Sequence, residues 1–163
     1  MRLSRPLNDA NFKALIKKDF DQVFLLTSPI PYPFHFAVHA WFVTQSKGQV
    51  NRYEFGKFKG SPHPQNIGLL KNFFEPITGM NKYWWQPKYR HPSKLIGAIE
   101  GSTASEASRV IHFLENQSES YPYKEHYHYL GPNSNTYIAW VLHHFPAVGL
   151  KLPAAAVGRG FGF

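Results

Sequence analysis

One serine in this chain stands where a nucleophile could be held. In HYLGPNSNTYIAWVL, residues 128–142, Ser134 follows a Gly-Pro break and sits between Asn133 and Asn135, just where apolar residues take up helical spacing. The first turn of a helix leaves N–H groups unpaired and carries roughly half a positive charge. An oxyanion is stabilised at such a place. A serine also needs a base, and the base needs a group that orients it. His39, inside the apolar run FHFAVHAWFVTQ (34–45), is the candidate base. The strand after it offers Asn51, Tyr53 and Glu54 as orienting groups, and Glu54 is the preferred one. A plainer use competes with this chemistry. Asn133, Ser134, Asn135 and Thr136 are all good capping residues, and on spacing alone capping outweighs catalysis. His39 alone, between Val38 and Ala40, is more readily a satisfied core or edge histidine.

Metal chemistry is the other use for histidines. Glu125, His126 and His128 occur together, and on a strand the two histidines would share a face. His143 and His144 lie further on. Neither pair has a tight ligand spacing and the chain has no cysteine, so no metal and no cofactor is assigned.

These residues need a scaffold, and the hydropathy pattern supplies one. Residues 8–20 read as a helix capped by Asn8 or Asp9. SPIPYP (28–33) is a loop, and 34–45 and 49–58 form a strand hairpin around Ser46-Lys47-Gly48. Residues 60–92 are a Pro, Gly and aromatic connection of the kind that serves as a functional loop, lid or small subdomain. SKLIGAIEG (93–101) reads as a strand and 102–117 as a helix with a Thr103–Glu106 capping box. YPYKEHYHYL (121–130) is strand or extended loop. A helix capped by Asn133 then carries Tyr137, Ile138, Val141 and Leu142 inward, and Pro146 and Gly149 end it. The tail KLPAAAVGRGFGF is too rich in Gly and Pro for regular structure and is expected to drape over the domain.

The chain of 163 residues, 43% hydrophobic and 17% charged, suits a single domain with no internal boundary. No apolar run reaches the roughly 18–20 residues of a membrane span. MRLSRPLNDANFKALIKKDF lacks the apolar block of a secretory leader, so a cytoplasmic location is expected. The net charge of +8 is spread along the chain without a dense tract, which puts nucleic acid last among partners. A small molecule, lipid or peptide ranks ahead of it.

At a finer level, YPYKEHYHYLGPNSNTYIAWVLHHFPAVGLKLPAAAVGRGF (121–161) resembles the C-terminal signature of the bacterial domain of unknown function 3750 family. HAWFV around His39 resembles that family's HxW strand, and Tyr53-Glu54 its YE pair on the next strand. The resemblance covers 34–163, leaving 1–33 as an N-terminal helix and loop. It departs at Tyr137, where the family usually has Phe, and in the GRGFGF ending. The family's order of parts is similar to a circularly permuted papain-like fold of the NlpC and lecithin retinol acyltransferase kind. This implies an α+β architecture, a small antiparallel sheet packed against helices. It puts His39 in the histidine position and Ser134 in the cysteine position. The resemblance thus implies a hydrolase or acyltransferase acting on an amide or ester bond, with Glu54 orienting His39. A hydroxyl does not ionise near neutrality as a paired thiol does, so it needs a better base and a completed oxyanion hole. The alternative is a non-catalytic binding domain in which Asn133, Asn135, Thr136 and the helix amides hold an anionic ligand. In the hydrolase reading the aromatic loop around Tyr83, Trp84 and Trp85 would cover the cleft and hold an apolar or sugar-like group.

Overall fold

A strand enclosed on both faces shows as an unbroken apolar run rather than an alternation. The VFLL of DQVFLLTSP is such a run, and the nine residues form β1 (Asp21–Pro29), in which the polar Gln22, Thr27 and Ser28 are buried as well. The computed structural model describes residues 6–163, so the first five residues of the stretch read as lacking a secretory leader lie outside it. β2 (Val38–Ser46) and β3 (Gln49–Lys57) make the expected hairpin. Lys47 and Gly48 at its turn both take positive φ, as a tight two-residue hairpin requires. β2 begins later than the apolar run suggested, because Phe34, His35 and Phe36 are exposed in the turn that precedes it. β4 (Ile67–Lys71) pairs with β3, and β7 (Lys94–Gly101) pairs with β1. The resulting five-stranded sheet has the order β4-β3-β2-β1-β7 and is antiparallel throughout. Residues 1–33 are therefore more than a helix and loop, since they contribute a strand hydrogen-bonded on both sides. β5 (Asn81–Tyr83) and β6 (Gln86–Arg90) form a separate two-stranded ribbon.

The helices follow their caps. Asn8 caps α1 (Asp9–Lys13), which stops well short of residue 20. Ser105, not Thr103, caps α2 (Glu106–Asn116). α3 (Ser134–His144) starts where expected, on Asn133. Residues 121–130 contain turns and no strand.

Strand alternation assigns the two faces of the sheet. Ala40 and Phe42 of β2 and Tyr53 and Phe55 of β3 pack against Val110, Ile111 and Leu114 of α2 and Ile138 and Val141 of α3. Trp41 and Val43 point the other way, into a cluster with Phe24, Leu26, Leu95 and Phe12 of α1. The chain is thus an α+β domain with α2 and α3 on one face. No helix among the described residues is long and apolar enough to cross a membrane.

Candidate functional site

The sheet opens along one seam. β2 stays paired with β1 along its whole length, from Gln22↔Gln45 to Pro29↔Val38. Its ladder with β3 stops at Phe42↔Tyr53. Beyond that pair the strands part, leaving the β3-side backbone of Val38 and Ala40 without a ladder partner. The Asn135 side chain fills the gap. Its Oδ1 accepts from the Ala40 N–H at 3.1 Å, and its Nδ2 donates to the Val38 carbonyl at 2.8 Å. A side-chain amide carries the same donor and acceptor as a peptide, so it substitutes for a missing strand. The N-terminus of α3 is thereby pinned to the residues on either side of His39.

His39 is the outer member of a buried polar chain. Its Nε2 lies 2.7 Å from Glu54 Oε2. Arg52 donates to the same carboxylate twice, from Nε to Oε1 at 2.8 Å and from Nη2 to Oε2 at 3.0 Å. His39, Glu54 and Arg52 are 2%, 1% and 0% exposed. The remaining Arg52 donors are also placed, with Nη1 donating to the carbonyls of Glu75 and Thr78. The guanidinium lies 4.1 Å over the Trp41 ring. Burial pushes the Glu54 carboxyl up, but the hydrogen bond from His39 and the charge of Arg52 outweigh it and hold the group below its ordinary value. Burial lowers the Arg52 guanidinium, and Glu54 opposes that shift. An ionised carboxylate only accepts, so the His39 Nε2–H is the donor to Glu54 and Nδ1 faces away from it. Among the described residues no protein group hydrogen-bonds that Nδ1.

The depressed Glu54 value ties stability to acid. A carboxyl whose folded pKa lies below its unfolded value, about 4.3, contributes stability above that pH and loses it as pH falls toward the folded value. The urea midpoint is expected to fall steeply below about pH 4, and Glu54→Gln is expected to flatten that part of the profile.

Ser134 has different neighbours. Its hydroxyl lies on the side of the Tyr127 phenol; burial pushes that phenol up, and Ser134 partly offsets the shift. Tyr127 in turn packs near Phe55, on the face that carries α3. The His39 ring stacks beside Trp41 with centroids 5.8 Å apart, and it meets Phe58 edge-on. His39 therefore shares the Trp41 face, while the body of α3 packs on the opposite one. No hydrogen bond joins Ser134 to His39 among the described residues.

The flanking polar residues serve the protein's own backbone. Asn133 Oδ1 accepts from the amides of Asn135 and Thr136, two of the first-turn donors that a bound anion would otherwise use. Asn133 Nδ2 donates to Tyr129 O and Val157 O. Asn135 Nδ2 donates to Val157 O as well as Val38 O, and Thr136 Oγ1 to Gly158 O. The tail does more than drape, because its carbonyls complete the seam, with Ala155 O accepting from Val38 N–H. Gly158 suits that contact, with φ at +92°; a Cβ there would lie 2.5 Å from the Asn133 amide.

Trp84 and Trp85 lie at the tip of the β5–β6 ribbon and are 61% and 65% exposed. Glu125 and His126 line a groove of about 540 Å³ together with His63, Glu119 and Lys124. Among the described residues no three His, Asp or Glu side chains gather as a metal site would require.

Sequence reasoning missed one member of this site and the contacts of another. Arg52 counted only as one of the scattered cations, although R-x-E on a strand puts both side chains on one face. Asn135 read as a ligand or capping residue, because its backbone partners lie far away in sequence.

A five-stranded antiparallel sheet with two helices on one face and a helix N-terminus set into a strand seam defines the class, an α+β domain. The chain belongs to the family described as "Protein of unknown function (DUF3750)", whose family model matches residues 21–161. That span takes in β1, ahead of the point where the resemblance was first drawn. No curated protein and no solved structure matches the chain.

Proposed function

We propose that the protein is a binding domain on a permuted papain-like frame, with Ser134 and His39 in the nucleophile and base positions but not engaged in turnover. The observation that carries this reading is the direction of the His39 side chain. It shares the Trp41 face and bonds Glu54 at 2.7 Å, while α3 packs on the other face. Asn133 also occupies two of the amides that would form an oxyanion hole. A serine without a hydrogen-bonded base and with most of its helix-start amides already used is a poor nucleophile. The ligand is anionic with an apolar part, and it is held by the exposed aromatic and cationic side chains of the β5–β6 ribbon and the 31–37 turn. Asn133, Asn135 and Thr136 position the α3 N-terminus, and Trp84 and Trp85 contact the ligand.

One observation favours a second reading, a hydrolase or acyltransferase acting on an ester or amide. Glu54 holds His39 Nε2 as a catalytic carboxylate would, leaving Nδ1 as the ring nitrogen that no protein group bonds among the described residues. In that reading the Ser134 hydroxyl reaches Nδ1 through the seam, and Glu54 orients the ring. The two readings separate on a fluorophosphonate probe and p-nitrophenyl butyrate turnover. Wild type is expected to remain unlabelled at Ser134 and to match Ser134→Ala in rate. Labelling at Ser134 that disappears in a folded His39→Ala variant would establish the catalytic reading instead.

A further inference from the structure

The β5–β6 ribbon presents an uncommon surface. A two-stranded ribbon has little core of its own, and all five residues of β6 are exposed. Trp84 and Trp85 occupy its tip, with Tyr83 and Tyr89 beside them, all exposed. An aromatic row continues from it onto the 31–37 turn. Trp85 lies against Tyr83 with centroids 5.4 Å apart, and Tyr83 lies 6.5 Å from Tyr32. Tyr32 N–H donates to the Lys82 carbonyl at 2.8 Å, fixing ribbon and turn together. From the same turn Phe34 meets Phe36 and Tyr129, again largely exposed. So many exposed rings in one region go well beyond the single apolar residues scattered over ordinary surfaces.

The charge in this region has one sign. Between Glu75 and Glu100 the sequence has no acidic residue, but it has Lys82, Lys88, Arg90 and Lys94. The 31–37 turn adds no acid either. Aromatic rings with an apolar body and a polar edge, flanked by cations, are the composition that settles at a membrane interface. An acidic headgroup layer complements the cations, and the acyl boundary accepts the rings.

We propose that the β5–β6 ribbon and the 31–37 turn dock this protein onto an anionic lipid bilayer, with Trp84 and Trp85 inserted at the headgroup level and Lys82 and Lys88 on lipid phosphates. This names the partner for the binding-domain reading and rests on it. The site is peripheral, so binding is reversible and salt-sensitive.

The test is co-sedimentation of the full chain with vesicles of equal parts phosphatidylglycerol and phosphatidylcholine, against pure phosphatidylcholine. The chain is expected to pellet with the anionic vesicles at low salt and to be released at high salt. Trp84 and Trp85 should give a blue-shifted emission on binding, because Trp41 and Trp140 are already buried. The exposed-site variants Trp84→Ser/Trp85→Ser and Lys82→Glu/Lys88→Glu should each weaken partitioning by roughly tenfold or more with unchanged circular dichroism. Failure to pellet with anionic vesicles would overturn the proposal, as would equal partitioning of wild type and the double Trp variant. Neither result would alter the outcome of the Ser134 labelling, so the two readings fail separately.

Discussion

Glu54→Leu is expected to cost about 3–5 kcal/mol of stability, measured as the loss of unfolding free energy in urea at neutral pH. The leucine removes the one carboxylate that faces both a guanidinium and an imidazole in the interior. Arg52 would keep two carbonyl partners and the Trp41 ring, but no anion. A buried charge stripped of its partner is far more costly than one never placed there. The comparison variant replaces all three members, His39→Leu, Arg52→Met and Glu54→Leu together. It is expected to recover most of the loss, because burying apolar groups of similar size removes the desolvation penalty along with the pairing. A cost below about 1 kcal/mol for Glu54→Leu would mean that water reaches the carboxylate, against its near-complete burial.

The second large effect is expected at Asn135. Asn135→Leu leaves the Ala40 N–H and the Val38 carbonyl without their partner, at about 1–3 kcal/mol for each buried group. Val157 O is less affected, because Asn133 still donates to it. The total should approach 2–6 kcal/mol. Amide hydrogen exchange gives the specific signature. Ala40 should lose protection, whereas Phe42, still laddered to Tyr53, should keep it. Uniform loss of protection over β2 would mean that the whole strand depends on this amide.

These two residues also mark where sequence reading works and where it stops. The α3 start was legible because capping is local, needing only Asn133 and the residues just after it. The β2–β3 hairpin was legible because its turn chemistry lies between two strand-like runs. β1 escaped notice for a physical reason. Being central, it buries both faces, so DQVFLLTSP has no alternation to detect. The β5–β6 ribbon was hidden by its Pro, Trp and Tyr content, which reads as an irregular loop. His39 and Glu54 could be named as a pair, but the third member could not. A cation is assigned to solvent by default, and only the fold reveals that Trp41 and two carbonyls shelter Arg52. Asn135 was singled out as a ligand contact. In the fold its amide bonds main-chain atoms, which leave no trace in residue type.

The seam has a consequence for the order in which the domain assembles on the ribosome. β1, β2 and β3 are consecutive and can pair as soon as they emerge. The amide that stands in for a strand at Val38 arrives 97 residues later. Its own support, the carbonyls of Val157 and Gly158, arrives later still. Until translation has passed residue 158, the nascent sheet therefore holds an unsealed edge beside His39. Such an edge is a natural landing place for a chaperone or a neighbouring chain. Long-range closure of this kind also slows folding, because the loop entropy is spent before the contacts form.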